Sequence, residues 1–223
     1  MVYLVVTMKK DPTAPRPRGR PRKFDREAAL QIAVRMFWRR GFEATGIQDL
    51  ADAMGLAPPS LYAAFGDKKT LFREAIAAYQ AGPGAFARRA AEDGGPAREV
   101  IAASLRAAAH AFTDGEHPPG CMVILSTTNH GPGADDLAAW LRTLRTDGTQ
   151  ADWTRRIERD VADGLLPAGT DAAGLARFYM TVLEGMSIQA GDGADRAALE
   201  AVATLAMTAW PAQITQSTAS PRI

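Results

Sequence analysis

Apolar residues recur every three or four positions through most of this chain, which is the spacing of amphipathic α-helices. The first such segment follows Asp25, a favourable N-cap residue, and places Leu30, Ala33 and Phe37 on one face. The same periodicity predicts helices at about 45–54, 58–65, 67–80, 96–112, 134–164, 171–189 and 194–210, with Gly148 as a candidate kink. The apolar run at 121–130 is interpreted as a short buried helix, because no second strand candidate exists to pair with it. The pattern therefore predicts an all-α fold.

Two short helices joined by a glycine turn lie between residues 45 and 65. Thr45 with Gln48 three residues later has the spacing of a capping box. Gly55 supplies the positive φ that the turn needs, and Ala51 is small enough for a close helix crossing. Leu56, Leu61 and Phe65 are assigned to the core. The residues left on or near the outer face of the second helix are Pro59, Ser60, Tyr62, Ala63 and Ala64. These proportions predict a helix-turn-helix.

Charge is distributed unevenly, although the formal net charge of the 223 residues is only +1. Residues 1–73 contain 14 Lys and Arg against 7 Asp and Glu, whereas residues 74–223 carry a net charge of −6. Five basic side chains lie in the stretch APRPRGRPRKFD at residues 14–25. A basic front end indicates a polyanionic partner such as nucleic acid; the alternative is a basic tail that improves solubility.

Several classes of protein are not expected from the composition and motifs. The single cysteine, Cys121, excludes an internal disulfide framework and a multi-cysteine metal site, and no metal or cofactor is expected. No segment approaches the roughly 18 continuous apolar residues of a membrane helix, and the opening MVYLVVT is too short for a signal peptide. We therefore expect a cytoplasmic protein with no membrane partner, whose first residue is either Met1 or Met8. Motifs typical of hydrolases, metalloproteases and nucleotide-binding enzymes are absent, so an enzyme is not expected.

A set of residues in the segment 18–72 occurs in the order and spacing of a known DNA-binding domain. The set comprises Phe37, Gly41, Phe42, Thr45, Leu50, Ala51, Gly55, Leu56, Leu61, Tyr62, Phe65, Lys68, Leu71 and Phe72. In this combination the first third of the chain strongly resembles the TetR family of transcriptional regulators. One departure is the pair Ala57 and Pro58, which stands where family members often have a hydroxyl N-cap and a polar residue.

The resemblance implies a three-helix N-terminal helix-turn-helix domain and a larger C-terminal helical domain for ligand binding and dimerisation. We place a disordered basic arm at 1–23, the DNA-binding domain at 24–70, the ligand-binding and dimerisation domain at 71–211 and a disordered tail at 212–223. The implied function is a ligand-responsive regulator, interpreted as a repressor, that binds a palindromic operator as a homodimer and is released by a small molecule. The alternatives are a ligand-independent architectural DNA-binding protein and, with less support, a small helical enzyme.

The resemblance also implies which residues meet double-stranded DNA. They are Arg18, Arg20, Arg22, Thr45, Pro59, Ser60, Tyr62, Ala63 and Lys68. Ser60 and Tyr62 would bond phosphates or base edges, and Thr45 would combine capping with a phosphate contact. Lys68 would hold a phosphate together with the N-terminus of its helix, whereas Pro59 and Ala63 suit a thymine methyl. The three arginines of the arm would enter the minor groove or follow the phosphates.

The second half of the chain is expected to contain the effector pocket and the dimer seam. Candidate pocket residues are the large apolar side chains and a few polar ones in predicted helices: Phe112, Cys121, Met122, His130, Trp140, Trp153, Phe178, Tyr179 and Met186. Leu183, Leu199, Val202 and Leu205 are expected to fill the seam. A helix N-terminus at Cys121 would lower its thiol pKa and suit a sensor of electrophiles or oxidants. The interpretation we favour is a small buried side chain.

Overall fold

A computed structural model of the chain describes residues 24–92, 94–128 and 135–212, and the described residues form helices and connecting turns without a strand. The helices are α1 (Arg26–Arg40), α2 (Ile47–Met54), α3 (Pro58–Phe65), α4 (Lys68–Ala81), α5 (Phe86–Ala90), α6 (Ala97–Ala111), α7 (Met122–Thr128), α8 (Asp135–Thr143), α9 (Ala151–Ala162), α10 (Ala172–Gly191) and α11 (Arg196–Met207). A 3₁₀ turn (Pro83–Ala85) precedes α5, and a π-helical segment (Leu144–Gln150) joins α8 to α9. The predicted all-α class is confirmed. Arg18, Arg20, Arg22, His130 and most of the predicted tail lie outside the described residues.

The ends of α1 are formed as the sequence predicts. The Asp25 carboxylate accepts a hydrogen bond from the backbone N–H of Ala28 at 3.1 Å. At the other end Gly41 has φ 74°, and the Phe42 ring lies 6.3 Å from that of Phe37. The helix is therefore closed at both ends by residues adjacent to it in sequence.

The predicted capping of α2 by Thr45 is wrong. The helix begins at Ile47 with Gly46 as its N-cap, and Asp49 accepts a hydrogen bond from the Gly46 N–H at 3.2 Å. Thr45 is fully buried, and its hydroxyl donates to the Gly41 carbonyl at 2.7 Å. Its side chain thus closes the turn after α1 because that turn presents an unpaired carbonyl, while Gln48 instead donates to Asp52 at 2.8 Å.

Helix α4 packs along α1 and continues into the second half of the chain. The Phe37 and Phe72 rings meet edge to face at 5.1 Å, and Trp38 meets Tyr79 in the same way at 4.7 Å. One continuous hydrophobic cluster extends from Ala29 in α1 to Trp210 after α11. The domain boundary placed between residues 70 and 71 falls inside α4, so the two predicted domains share this helix.

Helix α6 is central to the second half and contacts α5, α9, α10 and α11. Both ends of this helix lie within one residue of the predicted limits. The candidate kink at Gly148 is also confirmed, since that residue has φ −90° and ψ −108° inside the π-helical segment. Helix α5 was not predicted, because the AGPG sequence that precedes it has the composition of a loop. Among the described residues no helix is long and apolar enough to cross a membrane.

The connection from α6 to α7 passes close to α10 at Gly120. This residue has φ 78°, and a Cβ atom added to it would lie 2.6 Å from the Ser187 carbonyl oxygen. The next residue, Cys121, donates its backbone N–H to the Ser187 hydroxyl at 2.8 Å. Glycine is therefore required at 120 both by its backbone conformation and by the close approach of α10.

We expect Gly120→Ala to lower the free energy of unfolding by about 3 kcal/mol, because strain at positive φ is added to a backbone collision. Gly115→Ala is the matched control: Gly115 also has φ 78°, but an added Cβ would meet no atom within 4 Å. It should cost only about 1 kcal/mol. Urea denaturation at one protein concentration measures both free energies of unfolding. Equal decreases in the two variants would show that the close approach to α10 does not affect the stability of the fold.

Candidate nucleic-acid interface and effector cavity

The turn between α2 and α3 has the geometry of a helix-turn-helix. Gly55 adopts the left-handed conformation, with φ 67° and ψ 33°. The Leu56 N–H then donates to the Ala51 carbonyl at 2.8 Å, which closes the end of α2. Ala51 itself is fully buried, as expected for the residue at the helix crossing. This turn sets the direction of α3, which begins with Pro58 in its first turn.

Helix α3 divides its residues between the core and solvent as predicted. Leu61 and Phe65 are buried. Pro59, Ser60, Tyr62 and Ala63 are all exposed, with 48% of the Tyr62 surface accessible. The face thus offers two hydroxyl groups and two apolar side chains, and α3 has no acidic residue in its first turn to repel a phosphate.

Lys68 is half-buried at the start of α4, beside the α3 face. Its Nζ lies 4.3 Å from the centre of the Phe42 ring and 3.5 Å from the Glu43 carbonyl oxygen. Burial lowers the pKa of this ammonium, and the charge of Glu43 opposes the change. Asp67 already accepts the Thr70 N–H at 2.7 Å, so part of the helix terminus is occupied and the Lys68 charge is the main attraction for an anion.

Thr45, the remaining predicted DNA contact within the described residues, does not lie on this surface. Its residue exposure is 0% and its hydroxyl is committed to Gly41, so it offers nothing to a phosphate. The sequence pattern is misleading here because a threonine before a helix serves equally well as a cap or as a turn-closing residue.

Arg26 fixes the position of α3 and was not anticipated. Its guanidinium donates to both carboxylate oxygens of Glu74, at 2.9 and 2.7 Å, and its Nε donates to the Ala64 carbonyl at 3.3 Å. The same group lies 4.6 Å from the centre of the Phe65 ring. Arg26 thus joins α1, α3 and α4. No sequence signal predicts the Arg26–Glu74 pair, since 48 residues separate its members.

A partly open cavity of about 70 Å³ lies in the second half of the molecule. Its lining includes Tyr79, Phe86, Cys121, Ile124, Arg145 and Thr149. The Tyr79 hydroxyl and the Cys121 thiol belong to two buried side chains in this lining. Burial raises the pKa of both groups. The favoured interpretation of Cys121 as a small buried side chain is confirmed. The alternative, a thiol activated by a helix terminus, is not supported, because desolvation outweighs the effect of the helix end.

Among the predicted pocket residues that the structure describes, Cys121 is the one that lines this cavity. The others occupy three kinds of position. Phe112, Met122, Tyr179 and Met186 are buried in the core, Trp140 and Phe178 lie nearer the surface, and Trp153 lines a separate groove. Apolar periodicity identifies buried faces but cannot separate residues that fill a core from residues that border a cavity. Tyr79 and Arg145 were missed because each is a common residue at a helical position.

We expect Cys121 in the native protein to react with a thiol reagent at least about tenfold more slowly than in the unfolded chain at pH 8, because it is buried and its pKa is raised. The native rate should continue to rise above pH 9, where an ordinary thiol is already ionised. Cys121 is the single cysteine, so the release of the reagent's chromophore reports on it alone. A native rate at pH 7 equal to or above that of the unfolded chain would identify a reactive thiolate and contradict the structure.

With this geometry in place, the similarities to known proteins are informative. Residues 29–75 match the sequence profile of bacterial regulatory proteins of the tetR family. The chain is 33% identical to the HTH-type transcriptional repressor ComR of Escherichia coli K12, over 87% of this chain and 92% of ComR. It is 32% identical to the repressor BdcR of the same strain, over 84% of this chain and 90% of BdcR.

Among solved structures, the chain is similar to CifR, a TetR family transcriptional regulator that was solved as a cysteine mutant in complex with 26-bp double-strand operator DNA. The two superpose with a TM-score of 0.80 at 43% identity, and the match covers 86% of this chain and all of the CifR chain. The similarity therefore extends well beyond the helix-turn-helix into the helices that surround the cavity. This protein belongs to the TetR family of transcriptional regulators.

Proposed function

We propose that this protein is a repressor that binds a palindromic operator as a homodimer in the cytoplasm and is released from it by a small molecule. The observation that carries the proposal is the α3 face, where Ser60 and Tyr62 are exposed beside Lys68 on a rigid helix-turn-helix. The two Escherichia coli relatives named as repressors, and the structure of CifR on its operator DNA, support the same function.

In this proposal α3 enters the major groove, and its outer face contacts the DNA. Ser60 and Tyr62 donate hydrogen bonds to phosphates or base edges, and Pro59 and Ala63 approach thymine methyl groups. The positive charge of Lys68 attracts a neighbouring phosphate. The arm arginines Arg18, Arg20 and Arg22 precede α1 directly and are proposed to reach the minor groove.

A strip of exposed apolar side chains on α10 and α11 supports the homodimer. Phe178, Ile188 and Val202 are each 43% exposed, and Leu205 is 71% exposed. These four side chains are called the apolar strip, and exposed apolar residues on two helices that pack against each other are typical of a self-association face. Two of the residues predicted for the seam, Leu183 and Leu199, are instead buried inside the protomer, because they face the core side of their helices.

The cavity lined by Tyr79 and Cys121 is the proposed effector site, because one of its walls is part of α4. Tyr79 lines the cavity and packs at 4.7 Å against Trp38 of α1. The same helix begins at Lys68, next to the DNA-binding face. A molecule that displaces Tyr79 would therefore shift the helix on which the position of that face depends, which gives a route from effector to operator.

The operator can be obtained by selecting double-stranded DNA from a random pool, and we expect a palindromic consensus. Tyr62→Ala should then weaken binding about tenfold or more, and Lys68→Met should also lower the magnitude of the slope of log affinity against log salt by about 1. Fluorescence anisotropy at several salt concentrations measures both effects.

Lys69→Met is the matched control for Lys68→Met, because Lys69 instead bonds the Asp136 carboxylate at 2.8 Å. It should change the salt slope less than Lys68→Met does. A selection that yields no consensus, or equal effects of the two lysine variants, would contradict the proposed interface.

We expect Leu205→Glu to convert the dimer into a monomer at micromolar concentration, because it places a charge in the apolar strip. Leu165→Glu is the control, since Leu165 is 42% exposed but lies outside α10 and α11. Size-exclusion chromatography with light scattering gives the mass of each variant. If the Leu205→Glu protein remains dimeric, the dimer interface does not include Leu205.

A further inference from the structure

The two ends of α3 are held by different kinds of contact. The N-terminal end follows the turn at Gly55, which is continuous with α2. The C-terminal end is bonded to a residue distant in sequence, because the Arg26 Nε donates a hydrogen bond to the Ala64 carbonyl at 3.3 Å. Ala64 is among the last four residues of α3, whose carbonyls lack a partner inside the helix. Arg26 therefore satisfies a backbone group of the helix that carries the exposed face.

The Arg26 side chain is itself held by two further contacts. Its Nη2 donates to the two carboxylate oxygens of Glu74, at 2.9 and 2.7 Å. Its guanidinium lies 4.6 Å from the centre of the Phe65 ring. Because the guanidinium is planar and rigid, the directions of its Nε and Nη2 bonds are fixed relative to each other. The Ala64 carbonyl of α3 and the Glu74 carboxylate of α4 are thus held in one defined geometry.

Apolar packing and hydrogen bonding restrict α3 in different ways. The burial of Leu61 and Phe65 decides which face of the helix points inward, but hydrophobic attraction has no preferred direction. Hydrogen bonds weaken steeply when their angles change, so the contacts of Arg26 oppose rotation and tilt of the helix. This restriction is important for a helix of eight residues, a length at which an isolated helix is only marginally stable.

The same contacts fix α3 relative to Lys68. Lys68 and Glu74 both belong to α4, and Arg26 joins Glu74 to the end of α3. The exposed side chains of α3 and the Lys68 ammonium are therefore held at a set distance from each other. A surface that meets bases and phosphates together requires such an arrangement.

We infer that Arg26 and Glu74 are positioning residues for sequence-specific operator binding: without contacting DNA, they hold α3 at the angle at which Ser60 and Tyr62 reach base edges. The inference rests on the proposed function in one respect, that α3 enters the major groove of the operator. Contacts to base edges need a defined geometry, whereas the attraction of basic side chains to phosphates does not depend on sequence. Loss of the pair therefore lowers the affinity for the operator and leaves the affinity for random-sequence DNA unchanged.

Glu74→Gln separates positioning from charge, because the two effects have opposite signs. The substitution removes a negative charge, and by charge alone it strengthens binding to any DNA. A positioning role instead weakens operator binding, and we expect a loss of about tenfold. Glu27→Gln is the matched control: Glu27 is exposed next to Arg26 and accepts a hydrogen bond from Gln31 at 3.0 Å. It should change the affinities for operator and random-sequence DNA by the same factor. Fluorescence anisotropy at one salt concentration measures both affinities.

Arg26→Lys tests the geometry of the pair at constant charge. Lysine replaces the planar guanidinium with a single nitrogen, which cannot hold Ala64 and Glu74 in the same arrangement. We expect operator affinity to fall about tenfold with no change in the salt slope, whereas Arg35→Lys, at an exposed position of the same helix, should leave it unchanged. Since Arg26 and Glu74 act as one unit, the double variant Arg26→Lys/Glu74→Gln should lose no more than the larger single loss.

The orientation of α3 is also measured without DNA, by amide NMR spectra of the full-length protein. We expect the signals of Ser60 and Tyr62 to shift in Arg26→Lys and in Glu74→Gln, but not in Glu27→Gln. If these signals do not shift, the inference is overturned whether or not a consensus operator is found. A selection that yields no consensus, with these signals shifted, would overturn the proposed function instead.

Three results with operator DNA would also overturn the inference. The first is that Glu74→Gln strengthens operator binding as Glu27→Gln does. The second is that Arg26→Lys weakens binding to operator and to random-sequence DNA by the same factor, which is the result expected of a direct phosphate contact. The third is that the two single losses multiply in the double variant. If Tyr62→Ala weakens operator binding while Arg26→Lys and Glu74→Gln do not, the proposed interface stands and the inference fails.

Discussion

The packing of α4 against α1 is the interaction on which the rest of the molecule depends. Phe72 and Tyr79 of α4 meet Phe37 and Trp38 of α1 edge to face. These contacts join α4 to the hydrophobic core of the three helices that precede it. From Lys68 to Tyr79 the helix rises about 16 Å. Its first residue therefore follows the turn after α3, and a later one lies in the cavity wall.

A second set of contacts joins α1 to the connection between α6 and α7. The His117 ring stacks on Trp38 at 5.7 Å, and its Nδ1 lies 2.8 Å from the Asp114 carboxylate. Trp38 thus lies between Tyr79 and His117. The same connection ends at Gly120 and Cys121, which contact Ser187 of α10. Helix α1 therefore contacts both α4 and the α6–α7 connection, and it contacts α3 through Arg26.

The exposed face of α3 was predictable because its determinants are local. Gly55, Ala51 and the buried Leu61 lie within one short stretch, and helical periodicity assigns the opposite face to solvent. The error at Thr45 is of a different kind. Its hydroxyl could bond either to the N-terminus of α2 or to the end of α1. In the structure it donates to the Gly41 carbonyl at the end of α1. The cavity lined by Tyr79 and Arg145 was predictable only at Cys121, since its other walls come from helices far apart in sequence.

By itself, the sequence determined the helical class, most helix limits and the exposed face of α3, because each of these depends on residues within one or two helical turns of one another. Only the tertiary structure decided the Arg26–Glu74 pair, the shared helix α4 and the cavity beside Arg145. It also decided that Cys121 is a buried, protonated thiol rather than an activated one. These features arise where distant segments meet, and the local pattern carries no information on which side chains those segments bring together or on how completely they exclude water.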